Sequence, residues 1–216
     1  MLTSTLVARW HALTAPLLSD AARREAELAR LAAAYDAPAR HYHNLQHIEN
    51  LLGRVEAHSL HDPVVVGLAV WFHDVVYDPL RPDNEAQSAE WALNFLQETT
   101  LVPARCARVA DLIRRTHNHT QPQPIHDTDL LLFLDADLSI LGAPEAAYWA
   151  YAHQIRREYQ AVPEPAYRAG RRQVLARLLA APVLFHTPAL QEELDAPARR
   201  NLQAEIDAWV RGGLPD

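Results

Sequence analysis

The chain has 216 residues, ample for one domain with a full hydrophobic core, and its 49% hydrophobic and 22% charged content is that of an ordinary globular protein. A formal charge of −7 leaves no basic footprint and excludes general nucleic-acid binding, although arginines concentrate locally at 156–157 and 168–177. The single cysteine, Cys106, excludes an intrachain disulfide and a cysteine-based zinc site.

In chain order the sequence reads as helix after helix, broken by prolines. Residues 2–18 form a first amphipathic segment without the apolar run of a signal peptide. Ser19-Asp20 offers an N-cap for a helix over 21–36. Residues 44–59 follow, with Leu45, Ile48, Leu52 and Val55 at helical spacing. Pro63 opens the next helix, which is expected to run to Asp78-Pro79. Its valines at 64–66 are the one β-like patch, and the proline and the helical spacing around them override that propensity.

Asp83 then begins a helix over 84–98, and Pro103 one over 104–117. A polar loop at 120–124 leads into 127–141, closed by Gly142. Helices over 144–161, 165–180 and 195–210 complete the chain. The longest apolar run, 63–72, is too short to span a bilayer, so a cytoplasmic protein with no membrane association is expected. No stretch alternates with period two. The expected fold is an all-α single helical bundle in one domain over 1–216, in which sites are built from side chains on facing helices.

Four clusters carry chemistry. His73-Asp74 closes the apolar run, and an imidazole next to a carboxylate is costly to bury unless something satisfies both. A divalent cation does so, and a pair that only hydrogen-bonds is the alternative. His43 and His47 are four residues apart and lie on one face if the stretch is helical. They can share a metal, one can bind while the other acts as an acid, or they can be solvated and capping residues. His117 and His119 sit at a helix end, where the dipole alone favours histidine. Asp135 and Asp137 lie two apart in an apolar helix and point to nearly opposite sides, so one is expected to reach a site while the other caps or pairs elsewhere. The helical geometry does not choose between them.

Taken together, the ordered set His…His-Asp…His…Asp on an all-α chain resembles the HD superfamily of metal-dependent phosphohydrolases, over about residues 40–142. His73-Asp74 resembles its name-giving pair, and Asp137, in the run 136–139, its final metal-binding aspartate. Tyr42-His43-Asn44 followed by His47 looks like the signature of the distantly related cyclic-nucleotide phosphodiesterases. The whole chain is similar to a bacterial group of small predicted HD phosphohydrolases, in the stretches 42–47, 71–77, 83–88, 116–119, 135–142, 155–159 and 198–202. The resemblance implies a metal-site core over 40–142 with additional C-terminal helices over 143–216 covering it. It implies His47, His73, Asp74 and Asp137 as metal ligands, favouring Asp137 over Asp135, and His43 as the general acid. The phosphodiesterases' further histidine does not align cleanly with 116–119, so His119, or less readily His117, is a candidate for a second metal or for the attacked phosphate.

The implied activity is a metal-dependent hydrolysis of a phosphate ester or anhydride, in a nucleotide or another small phosphorylated metabolite, by a metal-activated water. The ligand set suits Mn, Fe, Co, Ni or Zn, with Mg also admitted, and does not choose among them. Asp74 can also orient the attacking water, and Glu85 is a candidate to hold a ligand histidine or to serve the dipole of its own helix. Arg156, Arg157 and Arg171, with Tyr159, are candidates for substrate phosphate, against the common structural use of helical arginines. A homo-oligomer is compatible with the sequence. Two other functions fit the same residues: a di-iron oxygenase of HD type, and a non-catalytic metal-stabilised binding module.

Overall fold

The most apolar segment of the chain is also the centre of its first half. In the computed structural model, which describes residues 2–215, Pro63–Phe72 forms a helix in which every residue from Val65 on, Gly67 apart, is buried. Met1 and Asp216, the two ends of the expected 1–216 domain, lie outside the described residues. Among those residues there are ten α-helices, one 3₁₀ turn and no strand, so the protein is all-α, as its periodicity predicts. The chain divides into two compact units, Met1–His119 and Thr120–Asp216, at the foot of the polar loop 120–124.

The first unit comprises α1 (Ser4–Thr14), α2 (Ala21–Tyr35), α3 (Leu45–Glu56), α4 (Pro63–Phe72), α5 (Asn84–Leu96) and α6 (Pro103–Arg115). α4 is packed by α1, α3, α5 and α6. Trp10 of α1 fills the space between them, edge-on to Trp71 at 5.3 Å between ring centroids and 5.5 Å from Phe95. α4 starts where Pro63 fixes the first turn and the Asp62 carboxylate accepts from the Val65 N–H at 3.0 Å. Arg105 forks onto the same carboxylate at 2.8 and 2.7 Å. Partial burial pushes the Asp62 carboxyl up, but the Arg105 and Val65 donors hold it below its ordinary value.

α4 ends at Phe72, well short of the expected Asp78-Pro79. Pro79 has no N–H to return to the Val75 carbonyl, and the carbonyls of Asp74 and Val75 are instead claimed by Arg40. α3 begins at Leu45, with Asn44 as its N-cap, accepting from Gln46 N–H at 2.8 Å. His43 is therefore outside the helix that carries His47.

The second unit comprises α7 (Thr128–Asp137), a 3₁₀ turn (Leu138–Gly142), α8 (Glu145–Glu158), α9 (Glu164–Ala180) and α10 (Pro188–Arg211). α10 begins seven residues before the expected Asp195 and runs through Pro197. A proline inside a helix removes one backbone bond, but the buried stripe Leu190, Leu194, Ala198, Leu202 continues across it. The 3₁₀ turn packs on α10 at Gly142, where a Cβ would lie 2.7 Å from Leu194 Cβ and 2.9 Å from the Leu194 carbonyl oxygen.

Glu205 of α10 is wholly buried. Arg171 of α9 forks onto it at 2.8 and 2.9 Å, and Tyr148 Oη and Trp209 Nε1 donate to it at 2.6 and 3.0 Å. Burial raises the Glu205 carboxyl, but Arg171 and the two further donors outweigh it and hold the group below its ordinary value. A folded value lower than the unfolded one means that this carboxylate stabilises the fold above the ordinary glutamate range, and that the stabilisation is lost as pH falls through and below it.

Two outcomes follow from this packing. Gly142→Ala is expected to cost about 1–3 kcal/mol in urea unfolding, because backbone lies in the path of the new methyl group; wild-type stability would show that the turn can move aside. Glu205→Gln, which strands the buried Arg171, is expected to cost about 3–5 kcal/mol at neutral pH. The gap to wild type should narrow as pH falls below about 4, and a gap that does not change with pH would sink the assignment.

Candidate metal centre

The end of α4 is a buried helix C-terminus, and such an end leaves carbonyls that need donors. His73 supplies two. Its backbone N–H bonds the Ala69 carbonyl at 2.9 Å, and its ring Nδ1 bonds the Val70 carbonyl, also at 2.9 Å. Tyr35 Oη donates to the Trp71 carbonyl at 3.0 Å, and the Val75 N–H bonds that of Phe72 at 3.2 Å.

A carbonyl only accepts, so Nδ1 of His73 carries a ring proton, and in the neutral ring Nε2 presents its lone pair. That lone pair meets His47 Nε2 at 3.2 Å and Asp74 Oδ2 at 3.1 Å, and His47 Nε2 lies 3.8 Å from the same oxygen. His73 is 1% exposed and His47 6%, whereas the Asp74 side chain keeps 17% of its surface open. His47, His73 and Asp74 form the group of side chains that could hold a metal ion among the described residues.

The donor set fits a divalent cation. Bonds of about 2.1 Å place adjacent ligand atoms about 3.0 Å apart in an octahedron and about 3.4 Å apart in a tetrahedron, which brackets two of the three separations. With its proton on Nδ1, His73 turns a lone pair toward a carboxylate oxygen. Two electron-rich atoms at 3.1 Å need positive charge between them, either a second ring proton or a metal. The Val70 carbonyl holds the His73 ring in that orientation, the usual role of a backbone acceptor behind a ligand histidine.

His43 lies just beyond this triangle. Its ring is 6.0 Å from that of His47, stacks on Tyr77 at 4.2 Å and 30°, and meets Tyr42 edge-on at 5.0 Å. Tyr42 also packs on His47 at 5.0 Å. The i, i+4 relation read as one helical face is instead a bend followed by a first helical turn, and it still brings the two rings together.

Other expected residues fall elsewhere. Glu85, in the first turn of α5, pairs with His117 Nδ1 at 3.1 Å, so its histidine partner is not one of the three clustered residues. His119 is half-buried at the end of the first unit. In the second unit, half-buried Asp137 is the last residue of α7, where the helix tightens into the 3₁₀ turn. Asp135 has a structural task there: it accepts from the N–H groups of His186 and Thr187 and from Thr187 Oγ1, between 2.6 and 2.9 Å, at the start of α10. Burial raises the Asp135 carboxyl above its ordinary value, against the pull of those donors.

Two of the arginines expected to meet phosphate are engaged inside the second unit. Arg171 forks onto Glu205, and its side chain is only 8% exposed. Arg156 donates to the carbonyls of Tyr159 and Val162 and lies over the Tyr167 ring at 4.6 Å, closing the end of α8. Arg157 is exposed, and Tyr159 packs against Tyr167 at 5.6 Å. Arg40, Tyr42 and Tyr77 surround His43, and sequence reasoning assigned none of them a role although Tyr42 and Tyr77 lie in its motif stretches. The available signal was their position, since all three lie within three residues of a histidine or aspartate of the motif set.

No family model, curated protein or solved structure matches the chain. No helix among the described residues is long and apolar enough to cross a membrane.

The triangle predicts saturable binding of one Co²⁺ or Zn²⁺ per chain, with a rise in Tm as the cation is added; at a hundred times Kd the gain corresponds to about 2.7 kcal/mol. His73→Ala should abolish both effects, and cation binding that survives that substitution would move the site elsewhere.

Proposed function

We propose that this chain is a metal-dependent phosphohydrolase that cleaves a phosphate ester or anhydride of a small phosphorylated metabolite, a nucleotide in the first place. The observation that carries the reading is the convergence of His47 Nε2, His73 Nε2 and Asp74 Oδ2 at the end of α4, with the His43 ring one layer outside them. The order of these residues in the chain, which resembles that of the HD superfamily, supports the same reading. That resemblance assigns a fourth ligand to Asp137, an assignment that rests on the sequence alone, as does the candidacy of His119 and His117 for a second metal or for phosphate.

When bound, a divalent cation supplies Lewis-acid stabilisation of the charge that builds on phosphate and a nucleophile at neutral pH. Among the protein's groups, His47 and His73 would supply nitrogen donors, and Asp74 would add a carboxylate oxygen on the open side of the triangle. His43 is close to the reacting phosphate without belonging to the ligand set, and it protonates the leaving oxygen. Its stack on Tyr77 fixes the plane of the ring and therefore the direction of that proton.

The test is a screen of nucleoside mono-, di- and triphosphates for phosphate or pyrophosphate release with each divalent cation, on wild type and two variants. Asp74→Ala should lose cation binding and turnover together. His43→Gln should bind the cation as wild type does while kcat falls about 10²–10⁴-fold. Two irons per chain with oxygen consumption and no phosphate release would replace the hydrolase by an oxygenase. A cation that raises Tm while every phosphorylated compound stays intact would leave a binding module.

A further inference from the structure

Arg40 lies in the link between α2 and α3, 34 residues from Asp74, and carries none of the metal motif. Its guanidinium nevertheless donates three hydrogen bonds, all to backbone carbonyls of the site. Nη1 bonds those of His43 at 3.1 Å and Asp74 at 2.5 Å, and Nη2 bonds that of Val75 at 2.7 Å. The guanidinium lies over the rings of Tyr35 at 5.1 Å and Tyr77 at 5.5 Å. Tyr77 in turn stacks on His43, so cation, phenol and imidazole form successive layers.

The segment that ends α4 and the segment that precedes α3 are both irregular, and neither holds its own backbone through a helical ladder. One carries the ligand Asp74, the other the proposed acid His43. A planar fork with fixed donor directions joins them, a geometry that the single ammonium of lysine does not reproduce. On the metal-dependent reading above, we infer that Arg40 is the positioning residue of the site: it fixes Asp74 against His47 and His73, and it fixes His43 relative to all three.

The experiment measures Co²⁺ binding to the full chain by its visible absorption, beside the far-UV spectrum and Tm of the metal-free protein. Wild type, Arg40→Ala, Arg40→Lys and Arg105→Ala are compared. Arg105→Ala is the control for general destabilisation, because it breaks the ion pair at the opposite end of α4. Both Arg40 variants should keep their helix content and bind Co²⁺ about 10–100-fold more weakly, the usual loss when a group holding a ligand is removed. Their bound Co²⁺ should also show an altered visible spectrum. Arg105→Ala should lower Tm and leave Kd and spectrum as in wild type. If Arg40→Ala does not fold, Arg40→Lys decides.

Wild-type Kd and spectrum in Arg40→Lys would overturn the inference, and so would an equal weakening in Arg105→Ala. Those results leave the metal site standing, whereas a wild type that binds no cation removes the proposed function and this inference with it.

Discussion

The structure of the first unit turns on how the buried end of an apolar helix satisfies its carbonyl groups. α4 has no polar face to offer water, so the carbonyls of its last turn must find donors inside the protein. Each donor that meets them also shapes the site. His73 takes the Val70 carbonyl with the ring nitrogen that must be blocked for the other to point outward. Tyr35 takes that of Trp71 and stands beneath Arg40. Just beyond the helix, Arg40 takes those of Asp74 and Val75 and so holds the irregular segment that carries Asp74. Ending the helix and building the site are the same set of hydrogen bonds.

This economy explains why the site residues are so unevenly held. His47 sits in the first turn of α3, and His73 caps the end of α4 with its ring held by the Val70 carbonyl. Asp74 and His43 are on irregular backbone, where a bond to Arg40 does what a helical ladder would otherwise do. Asp74 is the most open of the three clustered side chains, and His43 lies outside the cluster.

The second unit uses the same residue types for a different end. Asp135 closes the start of α10, Glu205 and Arg171 neutralise each other in its core, and Arg156 closes α8. All are acids or arginines in apolar surroundings, and read one at a time they look as functional as His73-Asp74. What separates them is geometry. Glu205 and Asp135 are each met by several N–H and O–H donors, whereas His47 Nε2, His73 Nε2 and Asp74 Oδ2 converge within 3.8 Å of one another, an arrangement that could hold a metal ion.

The sequence by itself determined the all-α class, the apolar helix opened by Pro63, the cap at Asp20, and the adjacency of His73 and Asp74, because these depend on composition, local periodicity and neighbours a few residues away. It also placed His47 and His43 in one neighbourhood, although through a helical turn that proves to be a bend. Only the tertiary structure decided how the chain leaves α4, since the Trp71 carbonyl of its last turn meets Tyr35 and the carbonyls just beyond it meet Arg40. It alone showed that Asp135 and Arg171 have partners 51 and 34 residues distant and that α10 passes through Pro197. Long-range hydrogen bonds leave no periodic trace in a sequence, and a buried charge reveals its purpose only when the groups around it can be counted.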